Sequence, residues 1–518
     1  VGAHRAARYR AEARWDDRAL GDGIEAASAR RPGALAVADN ARRLSYAALA
    51  RAVGGAVAEL EAAGMRRGEP VVLVTGNTVE GVVAYHALLR AGATVLLLDR
   101  RCGEADVHHA VRAAGGRAHA VVPAAEAGRL AGALRHGVLT LERLCVPTGA
   151  PHGRREPDRD RAAVVLFTSG TTGRPKGVAH SLNTLTAGAN NMARITGAGD
   201  GTILFLVSPL ASITGVMQVH LASDRHAALV LEDRFDPDAS LDRVNAVGAD
   251  LLGGAPVIAE RLLRAAQRRN VRHVALRTLA LGGAMLPRPL LEAATDGFGI
   301  EIARVYGSTE APNFSGSLPG DDRERRLSDD GALMPGSEVR VGSRDHAQEG
   351  LVRGPGVCLG YVDDEDTTAA FEGGWLRTGD LVDVHDGRLT VVGRVKEVVN
   401  RNGLKVSLGA VDAALDGLPG ALEHAAFGVP DDDTGERVVV AVRPEQGAVV
   451  TLEGVVSHMR AQGLSARMLP EELVVWDGPL PRTASGKVVR SRLVMESPAK
   501  PSERAARLGA RPPQRRSP

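Results

Sequence analysis

The chain has 518 residues, 44% of them hydrophobic and 24% charged, and a net charge of only +2. That is enough for two or three domains with a large core, and too balanced in charge and too poor in aromatics for a nucleic-acid-binding surface. No stretch approaches the ~20 apolar residues of a membrane span, and three widely spaced cysteines without metal-ligand spacing read as a reduced, cytoplasmic protein.

An Ala-rich amphipathic helix is expected from Tyr46 to about Ala63. The strand 71–75 (VVLVT), a helix over 79–91 and the strand 94–99 (TVLLLD) then make a βαβ unit, which argues for a parallel sheet. The apolar run 162–167 reads as a buried strand and opens into Thr168, Ser169, Gly170, Thr171, Thr172 and Gly173, followed by Lys176. Glycines and hydroxyls in place of bulky side chains let backbone N–H groups converge on anionic oxygens. This is a phosphate-handling loop, but not the G-x-x-x-x-G-K-[ST] spacing, and no helix is expected to start in that register.

Alternation resumes with strands at 203–208, 228–232, 250–254 and 274–283, each separated by a helix. From about residue 330 the texture changes to short β segments at 338–341, 350–356 and 389–394. A compact unit of roughly 100 residues follows Arg394, a common domain size. It has helices at 409–415 and 452–462 and strands at 438–442 and 472–476. The fold class is therefore α/β: a large multi-layer N-terminal domain with mostly parallel sheets (1–392) and a small, mobile α+β domain (393–495). The Pro- and Arg-rich tail, 496–518, is expected to be disordered.

Further stretches carry chemistry. Gly282, Gly283 and Ala284 follow a strand, where small residues let a flat ring approach the backbone. Tyr306, Gly307, Ser308, Thr309 and Glu310 stand at another strand end; a capped helix start is the plain structural reading, with Glu310 in its first turn. Asp380 lies in a Thr-Gly-Asp turn, and 480–490 (LPRTASGKVVR) presents Lys487 from a Gly-containing loop. Of 64 basic residues only five are lysine, and four of these fall in motif stretches: Lys176 in the loop, Lys396 and Lys405 in 393–406 (GRVKEVVNRNGLKV) and Lys487 in 480–490. A chain that uses arginine elsewhere keeps lysine where a compact charge on a flexible stem is needed.

In this order these stretches resemble the signatures of the adenylate-forming enzymes: acyl-CoA synthetases, aryl-acid ligases, luciferases and peptide-synthetase adenylation domains. The resemblance implies ATP, Mg²⁺ and CoA, or the phosphopantetheine of a carrier protein, as cofactors, with a small carboxylic acid as substrate. By position, Tyr306 would cover adenine beside Gly282, Gly283 and Ala284. Thr309 would contact the α-phosphate, Glu310 would hold Mg²⁺, and Asp380 would bind ribose. Arg394 would meet ribose or phosphate, and Gly403 would let a pantetheine arm pass. Lys487 would bridge the carboxylate and the phosphates, and the loop from Thr168 to Lys176 would receive pyrophosphate. Lys396 would be the hinge about which the small domain rotates between two half-reactions.

The match departs at 208–217 (SPLASITGVM), which contains Gly215. Ser212 stands where the family often places His or an aromatic gate. With Gly254 and Ala255 it leaves the acyl pocket small-lined and without a cation, which favours an aryl, alicyclic or otherwise apolar monocarboxylate. Free CoA and a separate carrier protein both remain open as acceptors, as do nitrite activation and a non-catalytic AMP-binding role. The protein is expected to work as a monomer or homodimer. His108, His109 and His180 are read as surface or structural residues.

Overall fold

The computed structural model describes residues 3–17, 20–132, 134, 137–145, 158–168, 175–283, 286–401, 404–431, 434–482 and 488–505. The chain divides into two compact units. One comprises Val1–Leu286, Leu290–Thr378 and Val384–Thr390; the other comprises Pro287–Pro289, Gly379–Asp383 and Val391–Pro518.

The first unit contains the expected βαβ element, with strands Pro70–Thr75 and Thr94–Asp99 parallel and in register around the helix Val79–Arg90. Thr78 caps that helix by accepting a hydrogen bond from the Gly81 N–H. Among the described residues this sheet has seven strands. In order they are Gly360–Tyr361, Lys176–His180, Val164–Thr168, Thr94–Asp99, Pro70–Thr75, His119–Val122 and Val138–Thr140. A second sheet carries a parallel run of Leu35–Ala38, Ala228–Leu231, Ile203–Leu206, Leu251–Gly254, Thr278–Gly282 and Glu301–Tyr306. One buried cluster draws Leu73 and Leu97 from the first sheet and Leu204 and Leu229 from the second. Tyr85, Leu185 and Val219, from helices Val79–Arg90, Leu182–Thr196 and Ile213–Arg225, belong to it too. Helices that bury apolar side chains against both sheets explain why these helices and strands read as nearly continuous apolar runs.

Among the described residues three histidines lie inside this unit, His86, His180 and His220, all 4% exposed or less. The Tyr85 hydroxyl sits 2.9 Å from His220 Nε2. Burial pushes the His86 and His180 rings down to about 4 and that of His220 down to about 3, so all three are neutral near pH 7.

The second unit holds its own sheet. Ala421–Asp431 and Gly435–Pro444 form a long antiparallel pair, and Glu472–Val475 runs parallel to Gly435–Pro444. The helices Leu408–Leu415 and Leu452–Ala461 contribute Val411, Leu415, Val455 and Met459 to its core. The start of the tail differs from expectation. Ser502–Arg504 pairs antiparallel with the strand Glu472–Val475, and Lys500 Nζ donates to Asp477 Oδ1 at 2.5 Å. An edge strand needs only a short backbone match, and composition did not register one. Residues 506–518 lie outside the described set.

The buried histidines give a signed pH dependence. An unfolded histidine takes up a proton near pH 6.5, whereas these three resist it until about pH 4 or below. Their stabilisation is therefore present above pH 6.5 and is lost as pH falls toward 4. Thermal melts should show a lower Tm at pH 5 than at pH 7.5, and His220→Gln, which cannot ionise, should shrink that difference. An unchanged difference in the variant would remove His220 from the account.

Candidate active site

The phosphate-type loop is held by a β-hairpin. Val164–Thr168 pairs antiparallel with Lys176–His180, and Thr168 faces Lys176 across the register at the mouth of the loop. The Thr168 hydroxyl donates to the Lys176 carbonyl at 3.4 Å. His109 Nε2 lies 2.8 Å from the Pro175 carbonyl, and its ring meets Phe167 edge-on at 5.7 Å. Both ends of the loop are thus pinned. Ser169, Gly170, Thr171, Thr172 and Gly173 lie outside the described residues.

The second motif follows the strand Glu301–Tyr306. No helix begins there, so the capped-helix reading fails. The chain turns back on itself instead: Phe314 N–H donates to the Tyr306 carbonyl at 2.8 Å, and Tyr306 pairs with Ser315. Ser308 Oγ still caps, accepting from the Glu310 and Ala311 N–H groups at 3.2 and 3.3 Å, but it caps a turn. Gly307 has a packing reason, since a Cβ there would meet Ala311 O and Asn313 N at 2.7 Å. Gly282 is likewise set by the neighbouring strand, because a Cβ would lie 2.1 Å from the Val305 carbonyl oxygen. Gly283 adopts φ +78°, and Ala284 lies outside the described residues.

Two side chains that sequence reasoning missed or undervalued join the motifs. His180 ends the strand that Lys176 begins, and its Nε2 lies 2.7 Å from the Thr309 carbonyl oxygen. A carbonyl only accepts, so Nε2 carries the proton and Nδ1 accepts from the Thr184 hydroxyl at 3.0 Å. This arrangement requires the neutral ring that burial enforces. The structural reading of His180 and His109 stands, with a partner for each at the edge of a motif.

The other side chain is Tyr361. Gly360–Tyr361 pairs antiparallel with the strand Lys176–His180, and the Tyr361 hydroxyl donates to Glu310 Oε1 at 2.7 Å. Its ring lies 5.4 Å from Lys176 Nζ, which forms an ion pair at 2.6 Å with Asp366 Oδ1. The Cys358 N–H also donates to the Glu310 carbonyl at 2.7 Å. Burial first, and then the Glu310 charge, raise the Tyr361 hydroxyl, which stays protonated and able to donate. The signal available in sequence was a Gly-Tyr followed by an acidic run, in a chain with only five tyrosines.

Other expected site residues are placed as follows. In the second unit Arg394 Nε donates to Asp380 Oδ1 at 2.9 Å, and Asp380 is buried. Lys396 lies in the short helix Val395–Glu397. Gly403 and Lys487 lie outside the described residues. In the acyl-pocket stretch Ser212 is the N-cap of the helix Ile213–Arg225: its hydroxyl donates to the Pro209 carbonyl at 2.6 Å and accepts from the Gly215 N–H at 3.1 Å. Gly254 ends the strand Leu251–Gly254, a Cβ there lying 3.0 Å from Ser208 Oγ, and Ala255 stands just before the helix Pro256–Arg268, without a side-chain cap.

The profile of the "AMP-binding enzyme" family matches residues 24–362, and that of the "AMP-binding enzyme C-terminal domain" matches residues 410–487. The chain is an adenylate-forming, AMP-binding enzyme. Within the family it is 30% identical to the 2-hydroxy-7-methoxy-5-methyl-1-naphthoate–CoA ligase of Streptomyces carzinostaticus, over 94% of this chain and 95% of that one. It is 31% identical to the salicyl-AMP ligase / salicyl-S-ArCP synthetase of Mycobacterium tuberculosis, over 95% and 93%. Its fold matches ATP-bound MatB of Rhodopseudomonas palustris with a TM-score of 0.84 at 24% identity, covering 92% of this chain and 98% of that one.

The link from His180 to the Thr309 carbonyl can be tested without knowing the substrate. His180→Phe keeps a buried ring but leaves that carbonyl without its donor. The expected loss is about 1–3 kcal/mol in chemical denaturation, together with weaker ATP binding, while His109→Phe should affect ATP binding less. A variant as stable and as tight as the parent would show that the bond does not matter.

Proposed function

We propose that this enzyme uses ATP to convert a carboxylic acid to its acyl adenylate with release of pyrophosphate, and then passes the acyl group to a thiol, CoA first among the acceptors. The observation that carries the reading is the joining of Lys176 to Glu310 through one tyrosine. A cation suited to phosphate stands on one strand of a pair, and the tyrosine of the other strand holds a carboxylate suited to a hard metal ion.

The chemistry needs charge control. A carboxylate attacking the α-phosphorus builds negative charge on the phosphate oxygens, and fixed donors and cations lower that barrier. Lys176 and the hydroxyl- and glycine-rich loop beside it would take the leaving pyrophosphate. Thr309, its backbone fixed by His180, would direct its hydroxyl to the α-phosphate. Among the described residues no cluster of three or more His, Cys, Asp or Glu side chains could enclose a metal. A cation at Glu310 would therefore draw most of its ligands from the nucleotide and water, which fits Mg²⁺. When bound there Mg²⁺ would neutralise phosphate charge. Asp380 would accept from ribose hydroxyls, exchanging or sharing its Arg394 partner. Lys487 would serve the adenylation step, and rotation about Lys396 would bring Gly403 to the pantetheine arm for the second.

Ser212, Gly254 and Ala255 are small, and the Ser212 hydroxyl is already engaged as a helix cap, so the reading favours an apolar aryl or alicyclic monocarboxylate. The naphthoate ligase named above is consistent with that class. A second acceptor, the phosphopantetheine of a separate carrier protein, is favoured by the likeness to the salicyl-S-ArCP synthetase. Among the described residues no helix is long and apolar enough to cross a membrane, and the reading places the reaction in the cytoplasm, where ATP and CoA are available.

Pyrophosphate release measured across aryl, alicyclic and fatty acids, with and without CoA, tests the reading. One acid class should release pyrophosphate, and CoA should raise AMP formation. Lys487→Ala should cut release by at least about 100-fold, as loss of one transition-state donor does. Lys396→Pro should spare adenylation and impair thioester formation. Silence with every acid would contradict the reading, and release unmoved by CoA would shift the acceptor to a carrier protein.

A further inference from the structure

Lys176 does not hold an open charge. Its ammonium lies 2.6 Å from Asp366 Oδ1 and over the face of Tyr361, with both members of the ion pair about a quarter to a third exposed. Asp366 is itself held in place. It sits in the first turn of the helix Asp364–Ala370, which Asp363 caps by accepting from the Glu365 N–H at 2.9 Å. The next residue, Thr367, accepts from the Tyr361 N–H at 2.8 Å through Oγ1. The anion is thus fastened to the strand whose tyrosine also holds Glu310. All of these residues belong to the first unit.

We propose that Asp366 is a resident counterion of the phosphate site: it holds Lys176 while the site is empty, yields it to the phosphates of ATP, and recovers it as pyrophosphate leaves. This rests on reading Lys176 as a phosphate ligand. A single lysine cannot give full attraction to two anions in different places, so each competes with the other for it. The carboxylate therefore weakens binding of ATP and of pyrophosphate in the same sense. It also speeds product departure, because the lysine released by pyrophosphate has a partner waiting. No bond is made or broken in the exchange; only the ion pair moves.

The test is binding of ATP, and separately of inorganic pyrophosphate, to the full chain by calorimetry, with no acid present. Asp366→Asn should tighten both by up to about fivefold, the range expected for a partly exposed ion pair, and Asp366→Ser should do the same should the first variant fold poorly. In a Lys176→Met background neither change should have any effect. Tightening that disappears with Lys176 supports the proposal, and damage to the fold would not produce it. Weaker or unchanged binding in both Asp366 variants, with Lys176→Met still weakening ATP, overturns the counterion alone. Binding that Lys176→Met leaves untouched overturns both the counterion and the phosphate role of Lys176.

Discussion

One hydrogen bond, from the Tyr361 hydroxyl to Glu310, organises the candidate site. It reaches across two elements that owe nothing to each other in sequence, a two-residue strand and the turn after Glu301–Tyr306. Because Gly360–Tyr361 is paired to the strand Lys176–His180, that bond also fixes where Glu310 lies relative to the lysine. The aromatic face supports the cation and the hydroxyl supports the anion. The lysine is paired with Asp366 and the carboxylate with the hydroxyl, so one side chain serves both charged groups.

The strand Lys176–His180 works at both ends. It starts with the lysine at the loop and finishes with a buried imidazole under Thr309. Neutral histidine suits that place, since it donates to a carbonyl with one nitrogen and accepts a hydroxyl with the other, without bringing a charge into the core. Burial makes the neutral form the stable one, so the low-dielectric packing that holds the sheets together sets the charge state beneath the motif, and the Thr309 carbonyl sets the tautomer.

Much of the parallel frame was legible in the sequence. The strands 71–75 and 94–99 and the helix between them are recovered to within a residue because apolar runs bounded by Gly, Pro and caps have strong local causes. The loop and the Tyr306–Glu310 stretch stood out for the same reason: their residue types make sense only where backbone must approach closely. Partnerships were not legible. Nothing local ties Tyr361 to Glu310, Asp366 to Lys176 or His109 to Pro175; each is a side-chain contact between elements far apart in the chain. A helix start was the plain structural alternative at Ser308 because its cap is the same hydrogen bond in both settings, and the returning strand Ser315–Gly316 distinguishes them.

The central claim is that an oxygen of the acid attacks the α-phosphorus of ATP. It can be followed atom by atom with an acid from the active class labelled in both carboxylate oxygens with oxygen-18. After one turnover with a thiol acceptor, mass spectrometry should find one labelled oxygen in AMP and none in pyrophosphate. Label in pyrophosphate or inorganic phosphate, or AMP formed without label, would contradict the account.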